Sequence, residues 1–180
     1  MNRRSSLANP EQLPPTSKEE GLLQIIIETP RGSRNKYSFD SAQNIFSLKK
    51  VLPLGMVFPY DFGFLPQTMA EDGGPLDALV LMDEPAVPGC LVQARLIGVV
   101  EAEQREGKKR VRNDWLLTVA AATHLYAPVL HYKDLPPGFL HQLQEFFANY
   151  HRLEGKEYEI LGCKGPAGAS QLIRKLRNSP

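Results

Sequence analysis

Apolar and polar residues alternate from position 91 to about 102, the longest such pattern in the 180-residue chain. Because neighbouring side chains of a β-strand point to opposite faces, this period of two predicts a long strand with one buried face. Shorter apolar or β-branched runs bounded by turn residues, together with 14 Gly and 15 Pro, indicate further strands and many turns. The shorter runs are 22–28, 36–39, 44–48, 79–82 and 115–119.

After Pro136 the apolar residues recur at helical spacing until Gly155, a residue type that often follows the last turn of a helix. A strand at 158–161 and a short helix at about 169–177 complete the pattern. Strands followed by helices in one chain of this size favour a mainly β, α+β fold. We predict a five-stranded OB-like β-barrel with helices packed on its outside.

The polar, proline-containing segment 1–21 offers no periodic apolar face, so we expect a flexible leader followed by a single domain at 22–180. No hydrophobic signal core and no run of ~20 apolar residues occurs, so we expect no membrane association and a cytoplasmic protein. The 21 Lys+Arg nearly balance 20 Asp+Glu, which gives no general attraction to nucleic acid. Cys90 and Cys163 are interpreted as small core residues in a reducing compartment.

The loop Asp72-Gly73-Gly74-Pro75-Leu76-Asp77 places two carboxylates five residues apart on a turn that contains glycine. Hard divalent cations take oxygen ligands, so such a loop can present both carboxylates to Mg2+ and leave other positions to water and substrate phosphate. The alternative is an Asx-type turn in which the two aspartates bind local amides.

Cations are concentrated near the predicted strand ends. Each group alone is typical of a solvated turn. Together with scattered carboxylates they indicate an anionic substrate that a metal bridges to protein acids, as in phosphoryl transfer to water. The cations are Arg31, Arg34, Lys36, Lys49, Lys50, Lys108, Lys109, Arg110 and Arg112.

Several motifs follow one another between positions 22 and 162: IIIETP at 25–30, KY at 36–37, FPYDFGFLP at 58–66, DGGPLD at 72–77, VL at 80–81, and FF at 146–147 with Tyr150. In order and spacing the chain resembles the soluble family I inorganic pyrophosphatases, in which the aspartate loop is Asp-Gly-Asp-Pro-hydrophobic-Asp. The resemblance implies the pyrophosphatase fold, an OB-like barrel. It also implies a homo-oligomer that hydrolyses pyrophosphate to two phosphates with several Mg2+ ions.

The resemblance assigns roles to individual side chains of this sequence. The acids that match metal-site positions are Glu28, Asp72 and Asp77. The side chains that match phosphate-binding positions are Lys36, Tyr150, and Lys50 or its neighbour Lys49, where the family has an arginine.

Other positions depart from the family pattern. Gly74 stands where the family's middle aspartate helps to orient or deprotonate the attacking water, and glycine has no oxygen to accept a proton. Ser38 replaces a glutamate, and Phe62 replaces a tyrosine of the Pro-x-x-Tyr-Gly segment. His151 stands where a phosphate-binding lysine follows the tyrosine.

The segment from Glu101 to Thr118 is a predicted hairpin with a charged tip. It admits two alignments with the family's Asp, second Asp and following Lys. Gln104 takes the first place. With an insertion at the tip, Asn113 or Asp114 takes the second place and Trp115 the third; without it, Lys109 would occupy a metal position, which is electrostatically unfavourable. We prefer the insertion, because the predicted strand then continues and Asp114 can serve as a metal ligand.

The first functional hypothesis is a Mg2+-dependent inorganic diphosphatase, slowed by the loss of site acids. Asp61 or Glu71 would replace the missing base, a group whose loss ordinarily costs ~10²–10⁴ in rate. The predicted catalytic residues are Asp72, Asp77 and Asp61; the metal ligands are Asp72, Asp77, Glu28 and Asp114; the phosphate-binding residues are Lys36, Lys50, Arg110 and Tyr150.

The second hypothesis is a catalytically inactive or repurposed member of this fold that binds a phosphorylated ligand or a partner. The lost base and the diluted metal acids motivate it. A third, an OB-type nucleic-acid module, is disfavoured by the near-zero net charge and by aromatic residues that pattern as core. The sequence therefore favours the diphosphatase.

Overall fold

The computed structural model of the protein describes residues 8–19 and 21–177, and these residues form nine strands, two α-helices and two 3-10 turns. The strands are β1 (Leu22–Thr29), β2 (Asn35–Asp40), β3 (Ile45–Val51), β4 (Asp61–Leu65), β5 (Leu76–Leu81), β6 (Leu91–Glu106), β7 (Lys109–Arg112), β8 (Trp115–Ala120) and β9 (Glu157–Lys164). The helices are α1 (Phe139–Arg152) and α2 (Pro166–Arg177), and the 3-10 turns are Pro10–Gln12 and Tyr132–Asp134.

Five of these strands close into a ring. β1 pairs with β4, β4 with β5, β8 with β6, and β6 with β1, all antiparallel, whereas β5 and β8 are parallel. β6 extends beyond the ring, where it pairs with β7 and β9. The predicted five-stranded, barrel-like and mainly β architecture is confirmed.

The central strands of the ring are buried on both faces. Leu79 of β5 and Leu117 of β8 belong to a core that α1 covers, whereas Val80 and Leu116 belong to a second core that α2 covers. Burial on both sides explains why these two strands are continuous apolar runs in the sequence, while the one-sided strands alternate.

Helix α1 forms where the helical spacing predicts it, and it places Phe139, Leu143, Phe147 and Tyr150 on its buried face. Helix α2 buries its own apolar stripe against the other core. Both helices therefore pack on the ring, as predicted. In the part of the chain that the structure describes, no helix is long and apolar enough to cross a membrane.

Strands β2 and β3, which overlap the predicted runs 36–39 and 44–48, form a hairpin that is a separate two-stranded sheet. The hairpin is joined to the end of β1 by two polar contacts. Oε1 of Glu28 accepts a hydrogen bond from the N–H of Phe39 at 2.7 Å, and Thr29 Oγ1 donates to the carbonyl of Tyr37 at 3.0 Å. These contacts fix the hairpin beside one opening of the ring.

The predicted leader spans 1–21, of which 1–7 and residue 20 lie outside the described residues. The remainder is bonded to the ring rather than extending from it. The Gln24 side chain donates to the carbonyls of Pro14 and Thr16 at 2.7 and 3.2 Å, and the N–H of Gln67 donates to the carbonyl of Glu11 at 3.1 Å. Such contacts of backbone groups leave no hydrophobic pattern in the sequence, and a flexible leader remains an expectation.

Candidate active site

A cavity of about 830 Å3 lies among the β2–β3 hairpin, the loop before β5 and the end of α1. Five of the predicted site residues line it, although they come from five separate segments of the chain. They are Glu28 of β1, Lys36 of β2, Asp72 of the loop, Asp77 of β5 and Tyr150 of α1. The fold thus gathers carboxylates and phosphate-binding groups in one place.

The loop that carries Asp72 is a tight turn. Gly73 has a φ of 89° and donates its N–H to the carbonyl of Ala70 at 3.0 Å. The N–H of Gly74 donates to Oδ1 of Asp72 at 3.1 Å, which is the Asx-type bond that the sequence leaves open as an alternative. Since a carboxylate has several acceptor positions, this bond is compatible with Asp72 facing a cation in the cavity.

Asp77 is half-buried on β5. Burial raises the pKa of Asp77 to about 8; the positive charge of Lys36 opposes this rise, and the negative charges of Glu28 and Asp72 add to it. A cation bound between these carboxylates would relieve their mutual repulsion and favour the ionised form of Asp77.

The donor set of the cavity fits Mg2+, which prefers oxygen ligands and is usually held by one or two carboxylates, with water and phosphate at the other positions. Asp72 and Asp77 provide such a pair. Within residues 8–19 and 21–177, no group of three or more His, Cys, Asp or Glu side chains is arranged to hold a metal ion. Water and substrate oxygens would therefore complete the coordination.

Lys36 is held on the cavity wall by charge and by aromatic rings. Its Nζ lies 3.7 Å from Oε2 of Glu28, 4.4 Å from the ring centroid of Phe62 and 5.7 Å from that of Phe58. Both Glu28 and Lys36 are largely buried. These contacts hold the Lys36 side chain before a ligand binds, so binding requires little further ordering of that side chain.

Lys50 lies beside the cavity, in contact with two residues that line it, Tyr150 and Glu154. It pairs across the hairpin with Lys36, and its Nζ lies 3.7 Å from the Tyr150 ring centroid and contacts the carboxylate of Glu154. Its neighbour Lys49 instead lies 3.8 Å from Asp40. Of the two lysines that the sequence leaves open, Lys50 is the one near the cavity.

Burial raises the pKa of Tyr150, so its phenol stays protonated and can donate a hydrogen bond. Glu154 also lines the cavity. No sequence signal singles out this glutamate, because an acid shortly after a helix is a common surface feature.

Three further predicted residues lie elsewhere. Asp61, at the start of β4, is buried and accepts a hydrogen bond from the N–H of Ala86 at 3.0 Å. Arg110 of β7 is exposed and lies 3.3 Å from Glu103. Glu71 accepts from a backbone N–H of β7 at 3.4 Å. None of these three lines the main cavity, so the expected roles of Asp61 and Glu71 as a base and of Arg110 at phosphate gain no support from their positions.

Neighbouring residues Asn113 and Asp114 face opposite ways. Asn113 lines the main cavity, and its Oδ1 accepts a hydrogen bond from Nε1 of Trp115 at 2.7 Å. Asp114 accepts from the N–H of Ala102 at 3.0 Å, lies 2.7 Å from Arg112 and lines a separate cavity of about 430 Å3. An amide rather than a carboxylate therefore faces the cavity, and the structure does not bring Asp114 to the other predicted metal ligands.

Aromatic rings form much of the remaining wall. Phe58, Phe62, Trp115 and Phe147 all line the cavity while packing on one another, with 3.9 Å between the ring centroids of Trp115 and Phe147. The sequence pattern identifies these residues as core. In the structure one side of each ring packs in the core and the other side faces the cavity. Their second role as cavity wall depends on long-range packing that the pattern does not contain.

Proteins of a known family match this chain over most of its length. Residues 25–179 match the family model described as inorganic pyrophosphatase. The chain is 43% identical over 161 residues to the inorganic pyrophosphatase of Synechocystis sp., covering 89% of this chain and 93% of that protein. It is 34% identical over 171 residues to the inorganic pyrophosphatase of Thermus thermophilus, covering 93% and 95%.

Solved structures give the same result. The crystal structure of the inorganic pyrophosphatase from Thermus thermophilus is similar with a TM-score of 0.86 at 33% identity, covering 94% of this chain and 97% of that one. That of an inorganic pyrophosphatase from Neisseria gonorrhoeae is similar with a TM-score of 0.82 at 26% identity, covering 92% and 94%.

Proposed function

The chain belongs to the inorganic pyrophosphatase family, and we propose that it hydrolyses inorganic pyrophosphate to two phosphates with Mg2+. The observation that carries this proposal is the meeting of Asp72 and Asp77 with Lys36 and Tyr150 in one cavity. Carboxylates that can hold a cation face groups that can hold phosphate, which is the arrangement that hydrolysis of a phosphoanhydride requires.

Asp72 and Asp77 would hold one Mg2+, and Glu28 is oriented toward the same space. When bound, Mg2+ supplies positive charge that neutralises phosphate oxygens and acidifies water. Lys36 and Lys50 then bind phosphate oxygens through their ammonium groups, and the neutral phenol of Tyr150 donates a hydrogen bond. The aromatic side chains of the wall lower the local dielectric constant around these groups, which strengthens each electrostatic contact.

Gly74 provides no side-chain oxygen in this cavity. The side chains offered by the sequence as replacement bases, Asp61 and Glu71, lie outside it. A proton acceptor beside the attacking water contributes ~10²–10⁴ in rate. We therefore expect slow turnover, with binding and charge neutralisation supplying most of the rate enhancement.

The test is phosphate release from pyrophosphate by the purified protein in Mg2+ and in EDTA, beside Asp77→Asn. The amide cannot neutralise the cation, so release should fall at least tenfold in this variant. Glu106→Gln, an exposed position at the end of β6, removes the same charge away from the cavity and should leave release unchanged. Equal release by wild type and Asp77→Asn would reject the assignment of the metal ligand.

A homo-oligomer in the cytoplasm is part of the same proposal. Exposed apolar side chains occur on β3, just after β3 and just after α1, and both cysteine thiols are free, as expected in a reducing compartment. Sedimentation equilibrium measures the oligomeric state directly, and a monomer at micromolar concentration would contradict self-association. The exposed apolar residues of these segments include Leu48, Val51, Leu54, Val57 and Leu153.

A further inference from the structure

Lys50 is already occupied by a partner of opposite charge. The carboxylate of Glu154 contacts its ammonium group, and the Tyr150 ring lies 3.7 Å from Nζ. Glu154 lines the same cavity as the predicted metal and phosphate ligands. An anionic substrate that approaches Lys50 therefore meets a carboxylate of the protein on the same cation.

A tight turn after α1 fixes the position of Glu154. The carbonyl of His151 accepts from the N–H groups of Glu154 and Lys156 at 2.9 and 3.0 Å. Between them Gly155 has a φ of 73°, a left-handed conformation that glycine adopts readily. The backbone thus turns back over the end of the helix and aims residue 154 at the rim of the cavity.

The charges around Glu154 keep it ionised. Its Oε2 lies 3.6 Å from Nδ1 of His151 and 4.0 Å from Nζ of Lys156. Partial burial acts to raise the pKa of Glu154, but the hydrogen bond and charge of Lys50, together with the other positive charges nearby, hold the pKa below its usual value. Burial lowers the pKa of His151 to about 4, so His151 is neutral at pH 7. The positive charges that face Glu154 are then those of Lys50 and Lys156.

We propose that Glu154 competes with the phosphate groups of the substrate and product for Lys50, and so weakens the affinity of the site for both. This inference rests on the proposed function, since it assigns Lys50 to phosphate. The two anions cannot share the ammonium without repulsion, and part of the binding energy is spent on displacing the carboxylate. A glutamate that served only to position Lys50 would have the opposite effect when removed.

The test measures the KM for pyrophosphate and the Kd for inorganic phosphate, both in Mg2+, for wild type and Glu154→Gln. Removing the competing charge should lower both constants, by about threefold to tenfold. Glu157→Gln is the matched control, because Glu157 is close in sequence but 80% exposed and paired with Arg105 outside the cavity. It should change either constant less than twofold.

A double variant tests whether the lower constants of Glu154→Gln depend on Lys50. In a Lys50→Met background, Glu154→Gln should no longer lower the Kd for phosphate. Higher or unchanged constants in Glu154→Gln would overturn the proposal, as would failure of both wild type and variant to bind phosphate. If wild type releases no phosphate from pyrophosphate, the proposed function fails, whereas the phosphate titration still decides the role of Glu154.

Discussion

At position 74 the backbone leaves room for a side chain that glycine does not supply. A Cβ placed there would have Oδ1 of Asp72 as its near neighbour, at an ordinary contact distance of 3.7 Å. We predict that Gly74→Asp folds and raises kcat for pyrophosphate about tenfold to a hundredfold, because a carboxylate beside the attacking water can accept its proton. Steady-state phosphate release measures the change.

Gly73→Asp is the control for this substitution. It adds the same charge to the same turn, but at a φ of 89° that strains any residue with a Cβ by about 1 kcal/mol or more. It should lower the melting temperature without raising kcat. A well-folded Gly74→Asp protein with the kcat of wild type would show that position 74 does not limit turnover.

His151 makes stability depend on pH. It is buried, and burial lowers the pKa of His151 to about 4 from an ordinary value near 6.5. The unfolded chain therefore binds more protons than the folded one between these values, so this residue destabilises the fold as pH falls from about 6.5 to 4.

The His151→Gln variant should lose less stability over this interval than wild type, by roughly 2 kcal/mol. Urea unfolding at pH 7 and pH 4.5 gives the comparison. His141→Gln, an exposed position on the same helix, should behave as wild type does. Parallel losses in wild type and His151→Gln would contradict a buried, neutral His151.

Helix α1 links the core of the ring to the wall of the cavity. Phe147 is 3% exposed, and its ring packs on Trp115 at the start of β8. Phe147→Ala should cost about 3–5 kcal/mol of unfolding free energy, because it leaves a void among rings that cannot collapse. Leu153 directly follows the last residue of the helix and is 59% exposed, so Leu153→Ala should lower the free energy of unfolding by less than about 0.5 kcal/mol. Denaturant unfolding separates the two, and similar losses would mean that α1 is not anchored through Phe147.

Patterns of apolar residues predict most elements of this fold, because a strand buried on one face alternates, a strand buried on both faces is a continuous apolar run, and a helix repeats every 3.6 residues. The ring strands β1, β5, β6 and β8, the strands β2 and β3, and α1 are therefore recoverable. The segment 8–19 is not, since it is held by backbone groups and the Gln24 side chain, which carry no hydrophobic pattern.

Within the site, the sequence predicts which chemical groups are present better than where they point. Asp72 lies in the loop before β5 and Asp77 near the start of β5, so their closeness in sequence already keeps them close in space. Asn113 and Asp114 are neighbours that diverge to two cavities, and only the register of the folded hairpin decides which of them faces substrate. The same holds for Lys49 and Lys50.

At the scale of the whole molecule, the ring and its helices match solved pyrophosphatases, while most of the differences from the family pattern, Gln104 excepted, lie around one cavity. Gly74, Phe62 and Trp115 all belong to its lining. Phe62 and Trp115 also belong to the core that α1 covers and pair with neighbouring ring strands, whereas the core that α2 covers contains none of these three residues. The cavity wall and the stability of the ring therefore share Phe62 and Trp115, whereas Gly74 affects the cavity alone.

The central claim is that this cavity, with two aspartates and no carboxylate at position 74, still hydrolyses pyrophosphate. Phosphorus-31 NMR of pyrophosphate with the purified protein and Mg2+ tests it most directly, since substrate and product give separate signals. We predict that the phosphate signal grows at a rate proportional to protein concentration and stops when EDTA is added. A pyrophosphate signal that stays constant over hours with folded protein would contradict the claim.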